Sequence, residues 1–328
     1  MSDTRHDVIA LGNAIVDVLS ESDDAFLKAH GLPKGSMQLI DEAQATSLYA
    51  DMGPGVESSG GSAANTVVGV AAMGGRSAFI GRVQNDQLGE VFTHDIRASG
   101  VSFDPPQALP GAATARCLVL VTPDAQRTMN TFLGCSGELG PDDVDPDLIL
   151  GASITYLEGY LWDPEPAKAA FRKAMEVAKA GGRDVALSLS DSFCVDRHRD
   201  EFRQLVAGPV DILFANEDEI MSLYQTDDFE EAMDAVRGDA PLSILTRSEK
   251  GCVIVTPEET IMVGARVPEK LVDTTGAGDL FAAGFLHGLT TGRDLATCGR
   301  MGAIAAAEII SHYGARPESD LRALIAGV

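Results

Sequence analysis

Asp273-Thr274-Thr275-Gly276-Ala277-Gly278-Asp279-Leu280-Phe281-Ala282-Ala283-Gly284-Phe285 runs a glycine-rich turn straight into a helix of small and apolar residues. A helix begun this way presents unpartnered backbone N–H groups and the positive end of its dipole, and glycine lets a ligand approach the backbone. Gly276, Ala277 and Gly278, with the N–H of Asp279, form a candidate anion hole for a group that gains negative charge during reaction. The carboxylate of Asp279 would repel such a group, so it needs a purpose of its own. Accepting the proton of an attacking hydroxyl is one; capping the helix, where Asp is favoured, is the other. Spacing alone divides these readings evenly. Gly276-Ala277-Gly278 lacks the third glycine of a dinucleotide-binding turn, and the chain has no Gly-x-x-x-x-Gly-Lys-Ser/Thr stretch.

Upstream of this turn, short β-branched runs alternate with amphipathic segments. Asp7–Leu11, Ser77–Val83, Ile154–Leu157, Val185–Leu189, Val210–Phe214 and Leu242–Leu245 read as strands. Asp86–Ser99, Glu165–Lys179, Glu217–Leu223, Gly276–Leu289 and Leu295–Ile310 have helical spacing. Alternation of this kind predicts a doubly wound α/β fold with a mainly parallel sheet flanked by helices. Two stretches fit it poorly. Asp17–Glu57 is irregular, and Thr114–Thr122 and Arg127–Leu133 read as paired strands joined around Thr122-Pro123-Asp124-Ala125. We expect one domain over residues 1–328, with a small β-rich lid built from insertions at about 15–57 and 112–135.

Lys and Arg total 25 against 49 Asp and Glu, a formal charge of −24. Such a chain repels nucleic-acid phosphates and anionic bilayers, so neither is expected as a partner, and a polyanionic ligand must be held by local features. No 18-residue apolar run or basic leader followed by an apolar core is present, and a cytoplasmic protein is expected. Five cysteines without a Cys-x-x-Cys pair read as reduced thiols, and six histidines without His-Glu-x-x-His spacing offer no zinc hydrolase site.

A second glycine signal, Ser58-Ser59-Gly60-Gly61-Ser62-Ala63-Ala64-Asn65-Thr66, leads into a small-residue helix. By itself it is a hinge or, more commonly, a tight loop before close helix packing. Gly60 to Asn65, Asp273 to Asp279 and Asn216-Glu217-Asp218-Glu219 together, in this order and separation, resemble the signatures of the ribokinase-like (PfkB) family of carbohydrate and nucleoside kinases. The resemblance implies that Asp279 is the general base and that the turn before it holds the transferring phosphoryl of ATP. It implies that Asn216 and Glu219 act on Mg²⁺ through water. Thr246, Ser248 and Gly251 resemble the nucleotide loop, with Ser248 where the family has glycine. A monovalent cation beside Asp273 and Thr275 is a further candidate ligand.

The start of the chain is similar to the adenosine kinases of that family, through Leu11-Gly12-Asn13-Ala14-Ile15-Val16-Asp17 and Gln38 in Ser36-Met37-Gln38-Leu39-Ile40. By that similarity Asp17, Gly60, Gly61 and Asn65 hold ribose hydroxyls, and Asn13, Gln38 and Leu133 line the rest of the acceptor pocket. Arg127 reaches the phosphates from the lid, and an aromatic near Tyr160, Leu161 and Trp162 rests on the base. The expected activity is MgATP-dependent phosphorylation of a ribonucleoside 5′-hydroxyl, adenosine first, with a sugar such as ribose or fructose as the alternative acceptor. A monomer or homodimer is expected.

Overall fold

The structure, a computed structural model, describes residues 4–105, 111–124 and 126–328, so Ala125 of the expected turn lies outside the described residues. Its strands are β1 (His6–Leu11), β2 (Ile15–Glu21), β3 (Met37–Leu39), β4 (Gly55–Gly60), β5 (Ser77–Ile80), β6 (Ser102–Phe103) and β7 (Ala115–Val121). They continue with β8 (Arg127–Phe132), β9 (Ala152–Glu158), β10 (Asp184–Ser188), β11 (Ile212–Asn216), β12 (Leu242–Thr246), β13 (Cys252–Val255) and β14 (Thr260–Val263).

Val8, Ile9, Ala10 and Leu11 are all fully buried, the mark of a strand covered on both faces. β1 pairs in parallel with β5 and β9 inside a nine-stranded sheet of order β14-β13-β12-β11-β10-β9-β1-β5-β6. Val8 and Ala10 join one apolar cluster with helices Ser62–Ala72, Ala277–Thr290 and Leu295–Ile309. Ile9 and Leu11 join the other, with helices Glu165–Ala180, Ser192–Val206 and Phe229–Asp239. The expected doubly wound sheet is thus present. An antiparallel edge, β12-β13-β14, was not foreseen.

A five-stranded sheet of order β3-β8-β7-β2-β4 forms a second layer system. One face, with Val18, Leu118 and Leu120, packs on Leu27 and Leu48 of helices Asp24–Ala29 and Glu42–Asp51. The segment read as irregular therefore holds three of this sheet's strands and two short helices, capped by Asp23 and Asp41. The opposite face carries Ile15, Ala115, Cys117 and Val119, with Leu19, Met129 and Leu133 packed beside them.

The chain passes from β1 to β2 through Gly12-Asn13-Ala14 and from β4 to helix Ser62–Ala72 through Gly61. These crossings touch each other. Gly61 has φ of 94°, and a Cβ there would lie 2.3 Å from the Asn13 carbonyl oxygen, so the joint between the sheets admits only glycine. No helix among the described residues is long and apolar enough to cross a membrane, and all five cysteines are buried free thiols.

Candidate active site

Helices Ser62–Ala72 and Ala277–Thr290 cross at Gly69, where a Cβ would stand 2.6 Å from that of Ala283. This close crossing sets the geometry nearer each N-terminus, where Asn65, about one turn back, and Ser62, about two, meet Asp279. Ser62 Oγ donates to Asp279 Oδ1 at 2.7 Å and Asn65 Nδ2 donates to Oδ2 at 2.8 Å. Burial raises the Asp279 carboxyl above the ordinary range, against these two donors and the charge of Arg316. Gly276, with φ of 79°, starts the helix. Ala277 N–H turns back to the Thr274 carbonyl, while those of Gly276, Gly278 and Asp279 have no partner among the described residues. Asp279 is not the helix cap, because the cap position is Gly276 and the Asp279 carboxylate accepts from another helix.

Asp17, on β2, pairs with Ser58 of β4 and Cys117 of β7, which places it on the small sheet's face with Ile15, Val119, Met129 and Leu133. Gly60 leaves room for its carboxylate, since a Cβ there would lie 2.4 Å from Asp17 Oδ2. Among the described residues no donor bonds to that carboxylate. Burial pushes it up to about 6, moderated by Arg316 and Arg127 and aggravated by Asp279.

Gln38 is not brought to this face. Its register partner is Asn130, which pairs with Leu118 and through it with Val18, so the parity is opposite to that of Asp17. The Gln38 amide donates to Asn130 Oδ1 at 2.7 Å, and its neighbours Met37 and Leu39 take the Asp17 side instead. Asn13 is engaged within the joint: its backbone N–H and Nδ2 donate to Glu158 Oε1, and its Oδ1 accepts from Ser136. Trp162 and Leu161 are also not at the pocket. Trp162 is buried between Phe171 and Phe202 with its indole N–H on Glu201, and Leu161 lies in the same cluster.

Arg127 enters from β8 onto Asp273. The N···O separation is 2.5 Å but the alignment does not make a hydrogen bond, so the contact is charge on charge; Arg127 also donates to Thr275 Oγ1 at 3.1 Å. Thr275 N–H and Oγ1 bond Asp273 Oδ1, and Gly314 N–H bonds Oδ2. The Asp273 carboxylate, beside which a monovalent cation was a candidate ligand, thus faces a guanidinium.

Asn216 ends β11 beside Thr246 of β12, at the carboxyl edge where open α/β sheets bind ligands. Asn216 and Glu219 form a reciprocal capping box: the Asn216 backbone N–H and Nδ2 each bond one Glu219 carboxylate oxygen. Burial raises Glu219 to about 7. Its oxygens keep free lone pairs, and among the described residues no three His, Cys, Asp or Glu side chains converge to hold a metal. Asn216 and Glu219 would suit Mg²⁺ held through water. Ser248 is exposed with φ of 50°, and Gly251 lies against the β14 end at Val263.

The family model described as pfkB family carbohydrate kinase matches residues 40–321. The chain belongs to the PfkB kinase family. Its fold is ribokinase-like. A probable sugar kinase from Rhizobium etli CFN 42 superposes with a TM-score of 0.92 at 50% identity, covering 98% of this chain and 97% of that one. An adenosine kinase from Sinorhizobium meliloti gives 0.90 at 51% identity over 97% and 98%. Fructokinase-2 of Solanum habrochaites is 30% identical over 69% of this chain and 71% of its own.

This PfkB kinase has two site groups that sequence reasoning missed. Glu158 ends β9 fully buried, accepts from Asn13 and from the Ala63 N–H at 2.7 Å, and is pushed up to about 7 by burial. A carboxylate closing the apolar run Ile154–Leu157 at a strand's carboxyl end was the available signal. Arg316 donates to Asn65 Oδ1 at 2.8 Å and to Ser59 Oγ at 3.0 Å. Only its position between Gly314 and Pro317, in a segment without periodicity, set it apart.

Proposed function

We propose that this PfkB kinase transfers the γ-phosphoryl of MgATP to the 5′-hydroxyl of a ribonucleoside, adenosine foremost. The observation that carries this reading is Asp17: a carboxylate without a donor among the described residues, on the same face as an apolar wall of Ile15, Val119, Met129 and Leu133. A cis-diol supplies the two donors such a group lacks, and the wall suits a flat base. The likeness to the Sinorhizobium meliloti adenosine kinase, 51% identical over 97% of this chain, supports it.

In this reading Asp279 takes the proton of the attacking hydroxyl, oriented by Ser62 and Asn65. The unpartnered N–H groups of Gly276, Gly278 and Asp279 stabilise the phosphoryl in transfer. Arg127 and Thr246 serve the nucleotide phosphates, with Ser248 and Gly251 in the adjoining loop. Asn216 and Glu219 would hold Mg²⁺ through water, and the metal would supply charge neutralisation to the triphosphate. The small sheet acts as the lid.

The fructokinase relatives and the Rhizobium etli structure favour a second reading, a sugar kinase with the same residues. A coupled ADP-release panel separates the two. Adenosine should exceed 2′-deoxyadenosine in kcat/KM by about ten- to a hundredfold, because the deoxy compound leaves a buried carboxylate oxygen unpaired. Higher kcat/KM on ribose, fructose or another sugar than on every nucleoside would replace the nucleoside reading.

A further inference from the structure

The structure assigns Arg316 as a positioning residue of the transfer site: its guanidinium fixes which end of the Asn65 carboxamide faces Asp279 and balances the paired carboxylates of Asp17 and Asp279. The assignment rests on the reading of Asp279 as proton acceptor.

A carboxamide can present either its oxygen or its NH2 to a neighbour, and the end chosen depends on what holds the other. Arg316 has only donors, and it holds Asn65 Oδ1 at 2.8 Å. The Nδ2 end is thereby committed to Asp279 Oδ2 at 2.8 Å. Reversed, the amide would set its oxygen against a buried carboxylate. The second arm of the guanidinium reaches Ser59 Oγ on β4, so one side chain ties the small sheet, the helix after the joint and Asp279 together.

The segment that carries Arg316 is itself hung on the transfer turn. Gly314 N–H bonds Asp273 Oδ2 at 2.9 Å, and Ala315 packs so closely on Gly276 that a Cβ there would lie 2.8 Å from its own. Movement of the turn therefore moves Arg316.

The ionisable groups around Asp279 are Asp17 on β2, Tyr156 and Glu158 on β9, Tyr160 after it, and Arg316. Arg316 is the cation acting on Asp279, and Arg316 first and Arg127 second act on Asp17. Burial lowers the guanidinium to about 10, against the raising charges of Asp17, Asp279 and Asp95, so it stays protonated at neutral pH. Lysine at this position keeps a charge but, as a point donor, loses the fork that grips Asn65 and Ser59 together.

The test uses Arg316→Met and Arg316→Lys in the full chain. ¹³C-aspartate NMR of the free protein, with the Asp279 signal assigned through Asp279→Asn, reads its titration without any acceptor. In Arg316→Met the midpoint should rise by about one pH unit, and the acid limb of kcat/KM should move with it. In Arg316→Lys the midpoint should stay near that of the wild type while kcat falls roughly tenfold, the scale of one hydrogen bond. A wild-type midpoint in Arg316→Met overturns the assignment. Should that variant fail to fold, unchanged kcat in Arg316→Lys overturns it. Near-normal turnover of Asp279→Asn would instead remove the proton-acceptor reading, a result the titration does not depend on.

Discussion

Arg127 of the small sheet stands 2.5 Å from Asp273 in the turn that precedes helix Ala277–Thr290, so a strand of the small sheet is fastened by charge to the start of a helix that packs on the large one. Arg127→Met should loosen this attachment. Amide exchange across β7 and β8 should quicken, and the KM for ATP should rise about tenfold or more, as expected for a charge-assisted contact. Unchanged exchange and unchanged KM would show that the pair holds neither the sheet nor the nucleotide.

Asp279→Asn keeps the size of the side chain and its contacts with Ser62 while removing the proton acceptor. Turnover should fall by at least about 10²-fold with ATP binding retained. Binding of a non-hydrolysable ATP analogue measured by calorimetry checks the second half. Near-normal kcat would return Asp279 to a purely structural role.

Asp17 is raised from the ordinary carboxylate value to about 6. A folded state that binds its proton more tightly than the unfolded chain loses stability as pH climbs from about 4 through 6 and then levels off. Asp17→Asn carries no such charge. Relative to the wild type it should gain Tm at pH 8, and little or nothing at pH 4, while acceptor affinity collapses. Equal loss of Tm at both values in thermal melts would contradict this account.

If Glu219 works through metal-bound water, as proposed, Glu219→Gln should raise the Mg²⁺ concentration needed for half-maximal rate more than it raises the acceptor KM. A magnesium titration identical to that of the wild type would leave Glu219 as a capping residue of its helix alone.

The parallel core was legible because β1, β9, β11 and β12 are short apolar runs whose two faces are both buried. β4, whose sequence is Gly-Val-Glu-Ser-Ser-Gly, was not: it is an edge strand with an exposed start, so burial left no alternation to read. β3 is three residues long, and Gln38 was placed in the pocket by similarity to the adenosine kinases. Whether a strand residue faces in or out is fixed by register, and register became visible only through Asn130 and Leu118. Asp279, Asn65 and Asp17 sit in motifs. Arg316 reaches Asn65 across 251 positions of sequence, a relation that no local pattern encodes.

The order of the large sheet bears on how the chain is made. β9 to β14 lie side by side in the order of their synthesis, each beside its predecessor. β1 is flanked by β5 and β9, with Val8 opposite Ser77 on one side and Ile154 on the other. β1 therefore waits for Ile154 before its second edge is covered, and pairings so distant along the chain close slowly. Val8-Ile9-Ala10-Leu11, wholly buried at the end, is an apolar edge that a nascent chain exposes until β9 is made, and it is there that early association between growing chains would begin.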